Sequence, residues 1–355
     1  MIFLDEVQKC KEALTYIKFL VKDGRYKYIL SGSLLGVELN NLRSAPVGSV
    51  HSLEMYPMDF EEFLMNNGAS KHLIDEVKKC FEEKKTVDDY LHNKFLEMFR
   101  RYMVVGGMPQ AVQEYVDSKD LIKIKKIHNS IIKQYIIDFT QYEKNYKLKL
   151  INTYNLIPRE LDSKNKRYKF DHLNENFRFE RYEESFNWLI DAGVAIPTYN
   201  VTNLMYPLIL NSKASLFKLF LSDVGLLSTM YGVDTQKKIL DNENDINYGA
   251  GYENVACQEL HAHGFETFYY LSKKHGEIDF ILEYKGRVLP IEIKSGKTYN
   301  NHAALNNVLS CKEYNIPEAM VFCMDNVKTD GKITYYPMYM IMFLTNLDEE
   351  SFIMD

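Results

Sequence analysis

Between Glu277 and Lys294 the chain reads Glu-Ile-Asp-Phe-Ile-Leu-Glu-Tyr-Lys-Gly-Arg-Val-Leu-Pro-Ile-Glu-Ile-Lys. Two apolar runs flank Lys285-Gly286, which suits a two-residue turn joining antiparallel strands. Such a turn sets the register. Tyr284 falls opposite Arg287, and Asp279 falls opposite Glu292. Cross-strand partners share a face, so the two carboxylates project together, and Lys294, two residues beyond Glu292, joins them. Facing acids repel. A hard divalent cation such as Mg²⁺, which prefers carboxylate oxygens, offsets that cost. A lysine beside it can orient a water or stabilise charge building on a phosphate. The same residues also fit a surface acid pair neutralised by Lys294, and Pro290 favours an edge strand or a bulge over a regular ladder.

The surrounding pattern is α/β. Ile2-Phe3-Leu4 reads as a buried strand ending in Asp5-Glu6, a helix is expected from about Val7 to Lys22, and a second strand runs from Tyr26 to Leu30 into Ser31-Gly32-Ser33. Residues 71–150 have few glycines or prolines and helical apolar spacing, broken at Gly106-Gly107-Met108-Pro109. Helical patterns at 151–161 and 179–192 precede short strands at 194–196 and 199–201, an order suggesting a winged-helix-like module. From about residue 213 the expected order is helix, three strands, helix, strand, a mixed sheet. Four units are thus expected: 1–67, 68–150, 151–212 and 213–355.

A chain of 355 residues is long enough for several compact units, and no apolar run reaches the length needed to span a bilayer. Asp5 and Glu6 stand where a signal peptide stays apolar, and the five cysteines have no paired spacing, so a cytoplasmic protein with reduced thiols is expected. His261 and His263 read as helix-surface residues. The net charge of −6 argues against a uniformly basic coat. Basic residues nevertheless gather in 121–150, with seven lysines, and in 164–181, with six Lys/Arg including Lys166 and Arg167. These stripes are either solvated helix faces or phosphate contacts that would make DNA a partner.

Glu253 in a helical stretch, then Gly276-Glu277-Ile278-Asp279, then Glu292-Ile293-Lys294 resembles the PD-(D/E)XK nuclease superfamily. That resemblance implies a restriction-endonuclease-like C-terminal domain in which Asp279, Glu292 and Glu253 bind Mg²⁺ and Lys294 assists hydrolysis. Ile2-Phe3-Leu4-Asp5-Glu6 resembles a Walker B strand, and Ser31 to Ser33 resemble sensor 1, of AAA+ ATPases. One prokaryotic AAA+ group shows similar segments in the same order: Glu54 to Leu64, Gly106 to Pro109, Trp188 to Gly193, Asp223 to Leu227, and then the nuclease-like domain.

The resemblance implies a partial AAA+ core at 1–67, a helical lid at 68–150, the winged-helix-like unit at 151–212 and the nuclease-like domain at 213–355. Asp5, Glu6 and Ser31 would be a vestigial nucleotide site. The sequence departs from the group in lacking G-x-x-x-x-G-K-[ST], in carrying Ser49 where an Arg often stands, and in a chance Gly296-Lys297-Thr298. An N-terminally truncated core without the P-loop amides and lysine lacks most of the triphosphate cradle, so independent ATP binding and hydrolysis are not expected. Three functions follow: a Mg²⁺-dependent nuclease-like protein acting on DNA, an ATPase fragment that functions only beside its missing half, and a non-catalytic DNA- or protein-binding remnant; the partners to expect besides DNA are that P-loop half or a homo-oligomer.

Overall fold

The computed structural model describes residues 1–32, 51–142, 147–163, 182–243, 248–296 and 299–346. At the N-terminus, β1 (Ile2–Leu4) and β2 (Tyr28–Leu30) pair in parallel around α1 (Lys11–Asp23), in register Ile2 to Tyr28 through Leu4 to Leu30. The α1 helix ends at Gly24, whose φ of 74° satisfies a helix C-terminus at no Cβ cost. This is a small, separate sheet, and its Phe3 and Ile29 side chains are exposed.

A helical region follows: α2 (Phe60–Asn66), α3 (Lys71–Glu82), α4 (Asp89–Val105), α5 (Pro109–Ser118), α6 (Leu121–Tyr142), α7 (Lys147–Asp162) and α8 (Glu183–Asp191). The α2 helix opens with a full capping box between Asp59 and Glu62, and Pro109 stands at the start of α5, where its missing N–H costs nothing. The helical stretch, its break at Gly106 to Pro109 and the strand–helix–strand opening all match the sequence reading.

The next elements are β3 (Ala195–Val201), β4 (Ser212–Leu221), α9 (Val224–Tyr231), α10 (Val233–Leu240), α11 (Gly249–Ala262), β5 (Phe268–Ser272), β6 (Gly276–Tyr284), β7 (Arg287–Ile293), α12 (Ala303–Leu309), β8 (Ala319–Cys323), β9 (Lys328–Asp330) and β10 (Ile333–Pro337). Eight strands form one mixed sheet in the order β4-β3-β5-β6-β7-β8-β10-β9. β7 pairs parallel with β8, and β8 parallel with β10, and β8 and β10 are buried along their whole length, as parallel strands covered on both faces must be. A 3₁₀ segment, Met338–Phe343, then tucks six buried side chains beneath the sheet.

One expectation is corrected here. The two short strands at 194–196 and 199–201 are one strand, β3. It pairs antiparallel with β4 and parallel with β5, so it belongs to the large sheet and not to a local hairpin. Its alternation is masked because Ala195, Ile196, Thr198, Asn200 and Val201 are all buried. Two expected boundaries also fall on elements: 150/151 lies inside α7, and 212/213 lies at the start of β4. One hydrophobic cluster runs from Phe60 through Trp188 and Phe280 to Leu344, so the helices and the sheet share a core.

Candidate carboxylate–lysine site

The β6–β7 hairpin has the expected register, from Tyr284 opposite Arg287 to Phe280 opposite Ile291. Lys285 and Gly286 both take positive φ, 50° and 72°, the type I′ geometry whose twist matches the strands. Beyond Phe280 the ladder changes. Between Phe268–Ile281 and Tyr270–Ile278, β6 carries one more residue than β5, a bulge at Asp279–Phe280. Bulges re-aim a side chain and interrupt pairing. Here the Asp279 carboxylate accepts a hydrogen bond from the Ile293 backbone N–H at 2.9 Å, across the hairpin from its own strand.

Glu292 lies beside it and is 6% exposed. Burial, and then repulsion from Asp279 and Glu253, push its carboxyl up to about 8, although Lys294 pulls the other way. The Lys294 ammonium donates to Glu292 Oε1 at 2.7 Å, while Glu292 Oε2 is buried with no hydrogen-bond partner. Asp279, Glu292 and Lys294 are therefore brought together at the end of the hairpin.

Glu253 comes from α11, buried like the rest of that helix's inner face. Its Oε2 stands 3.7 Å from the ammonium of Lys218 on β4, and the same ammonium is 2.9 Å from Glu277 Oε1. Lys218 is fully buried, with its charge 5.1 Å from the centroid of the Tyr269 ring. Burial alone would lower its pKa, but Glu253, Asp279 and Glu277 hold it well above the ordinary lysine value. The sequence reading missed Lys218 and Glu277 as members. The available signal was a single charge inside the otherwise apolar run Leu216-Phe217-Lys218-Leu219-Phe220-Leu221. Among the described residues no three His, Cys, Asp or Glu side chains form a ready-made metal cage. Glu253 keeps its ion pair with Lys218, while Asp279 and Glu292 lie together with Lys294.

The remaining sequence candidates divide. Ser31 donates its hydroxyl to Asp5 Oδ1, so the ends of β1 and β2 bring these two together, and Glu6 sits beside them in a left-handed turn. Lys166 and Arg167 lie outside the described residues, as do Ser33, Ser49 and Lys297-Thr298. In 121–150, Lys123, Lys126 and Lys133 are exposed on α6, and Lys123 is paired with Glu114 at 3.3 Å. His263 is not a surface residue. It is 8% exposed, bonds Leu344 O at 3.0 Å and Asp59 Oδ2 at 3.2 Å, and closes α11 onto the start of α2. Burial would lower its pKa, but the hydrogen bond and charge of Asp59 raise it. His261 is half-buried, its ring edge-on to Tyr56 at 5.2 Å. Periodicity failed for both because the segment before α2 covers that end of α11.

The Gly106-Gly107 and Asp223 motifs meet in space. Asp223, fully buried, caps α9 by accepting from Leu226 N at 2.9 Å and also accepts from Gly107 N at 2.6 Å. A Cβ on Gly107 would lie 2.0 Å from Met58 O, and one on Gly225 would lie 2.5 Å from Val105 O. These glycines are fixed by close backbone approach. His128, also buried, bridges Thr229 Oγ1 and Val105 O at 2.8 and 2.9 Å.

An AAA-domain family model matches residues 1–64, a domain of unknown function (DUF8612) matches residues 96–237, and a second domain of unknown function (DUF4143) matches residues 248–341. No curated protein and no solved structure matches the chain. The first and last matches support an AAA-type ATPase-like protein with a distinct C-terminal domain. The middle match runs across both expected boundaries that fall on elements. No helix among the described residues is long and apolar enough to cross a membrane.

Proposed function

We propose that the C-terminal region of this ATPase-like protein carries a phosphodiester site in which Asp279 and Glu292 recruit one hydrated Mg²⁺ and Lys294 faces the scissile phosphate. The observation that carries this reading is the buried Glu292 Oε2, which has no hydrogen-bond partner and lies beside the re-aimed Asp279. A buried carboxylate oxygen left without a donor costs free energy that a cation would recover. Mg²⁺ is commonly held by one or two carboxylates with water completing its shell, so a two-acid site fits it without a third ligand. When bound, the ion would supply Lewis-acid stabilisation of phosphoryl oxygens. The protein's own contribution is different. The I′ turn and the bulge fix the acids, Lys294 leaves Glu292 to meet developing charge, and Lys166 and Arg167, with the exposed lysines of α6, guide DNA.

Supercoiled plasmid with 10 mM MgCl₂ is the direct test. The protein should convert it to nicked or linear forms, and Lys294→Ala should slow this by about 100-fold, as loss of a charge-stabilising donor typically does. Intact plasmid with both Mg²⁺ and Mn²⁺ would overturn the hydrolytic reading.

A second reading, non-catalytic DNA binding, is favoured by the engagement of Glu253 with Lys218, which removes a third carboxylate from metal binding. It predicts a gel shift without cleavage. For the N-terminal region, Asp5, Glu6 and Ser31 are proposed as a vestigial nucleotide site that works only together with a P-loop. Calorimetry of this chain with Mg-ATP should show negligible heat, and a micromolar dissociation constant would refute that proposal.

A further inference from the structure

Lys218 poses a physical problem that the hydrolytic reading does not use. A fully buried ammonium persists only where paired charges repay its lost hydration. Lysines ordinarily avoid that cost by extending their charge to water. This one stands on β4, the edge strand of the sheet, yet turns inward, with its ammonium 2.9 Å from Glu277 on β6 and 3.7 Å from Glu253 on α11. The Tyr269 ring closes another side. One lysine thus ties the helix, the edge strand and the bulged strand together through charge.

We propose that Lys218 is a resident cation: its ammonium takes the place a metal ion would otherwise need between Glu253 and Glu277, so this half of the acid cluster folds without metal. Any divalent ion is then confined to the Asp279–Glu292 half. Charge supports the division. Among the described residues, the Lys218 ammonium stands between Glu253 and Glu277, while Lys294 bonds Glu292 on the other side of the cluster. Only the confinement of that ion rests on the proposed phosphodiester site. The role of Lys218 stands without it.

The test compares the full chain with Lys218→Met and with Lys218→Met/Glu253→Gln, using MnCl₂ and MgCl₂ as the only ligands. Methionine keeps the volume of the stem and removes the charge, and the second change removes an acid to match. Lys218→Met should bind one Mn²⁺ more than the parent by electron paramagnetic resonance, and Mg²⁺ should raise its melting temperature. The double variant should bind the same number as the parent and show no such gain. A folded Lys218→Met with the parent's Mn²⁺ count would overturn the proposal. Should Lys218→Met purify unfolded, the double variant should still fold, and Mg²⁺ should recover the single variant on refolding. Failure of either result would mean that Lys218 acts by packing and not by charge. A parent that binds no ion would sink the phosphodiester reading, while a gain of one ion in Lys218→Met would still uphold the resident cation.

Discussion

Asp223 and Glu292 are both buried acids on a shared core, and burial raises both above the ordinary carboxylate range. Their surroundings differ in kind. Asp223 is met by fixed backbone donors, Gly107 N and Leu226 N, in a place where glycines let three segments touch. Glu292 is met by another acid and by a side-chain ammonium that is 27% exposed, and one of its oxygens has no donor. Backbone donors cannot be exchanged for a ligand, whereas a partly exposed lysine can swing away and a bare oxygen can gain a cation. The first arrangement is architecture. The second has the properties of a site, because its charges are satisfied incompletely and by groups able to move.

The sharpest way to break this distinction is to damage both places. Gly107→Ala would force a Cβ to within 2.0 Å of Met58 O, a backbone atom that cannot rotate away. It should cost more than about 4 kcal/mol and leave little soluble protein, as other backbone collisions in tight packing do. Asp223→Ala removes a helix cap and leaves the buried Gly107 N–H without an acceptor, for a loss of about 3 kcal/mol in urea unfolding. Glu292→Gln removes a charge that the fold holds against its preference. It should be neutral or stabilising, within about 1 kcal/mol of the parent, while abolishing divalent-ion binding. If Glu292→Gln destabilised the protein as much as Asp223→Ala, Glu292 would be a structural acid and the site would lose its main support.

The same contrast explains what the sequence could reveal. The hairpin was readable because its turn, Lys285-Gly286, and its register are local: two positions of positive φ fix every pair up to Phe280. The helices at 71–142 were readable because their apolar faces repeat. The bulge at Asp279–Phe280 was not, since it arises from the mismatch between β5 and β6, whose registers no local pattern encodes. Nor was β3 readable as one sheet strand, because burial at 195, 196, 198, 200 and 201 hides its alternation and its parallel partner β5 lies far along the chain. Lys218 was hidden for a related reason. Only the packing of α11 over β4 shows that a charge in an apolar run points inward to Glu253. The Gly106-Gly107 and Asp223 segments could be noticed as motifs, but not joined, until the fold placed one against the other.

The smallest effect, and the one most specific to the comparison, is in the pH dependence of stability. Burial, then Asp279, holds folded Glu292 at about 8, against 4.5 for an ordinary glutamate. Between those values the unfolded chain has released a proton that the folded chain keeps, so the unfolded state binds fewer protons and stability falls as pH rises, levelling off above about 8. Glu259 is likewise pushed up to about 8, by burial and then by Asp59, and adds a slope of the same sign. Melting temperatures measured from pH 5 to 8.5 should therefore decline, and Glu292→Gln and Glu259→Gln should each flatten the decline by one proton's share. Mg²⁺ separates the two. Binding to ionised Glu292 lowers its apparent pKa, so 10 mM MgCl₂ should flatten the parent's decline and that of Glu259→Gln, but leave Glu292→Gln unchanged. Glu259 Oε2 is also buried without a partner, but Glu259 is fully buried beneath α2, where its Oε1 accepts from Phe60 N and the Tyr102 hydroxyl, both at 3.0 Å, so a hydrated ion should not reach it. Equal Mg²⁺ responses in all three proteins would place the ion elsewhere and erase the difference between an acid that builds the fold and one that waits for a cation.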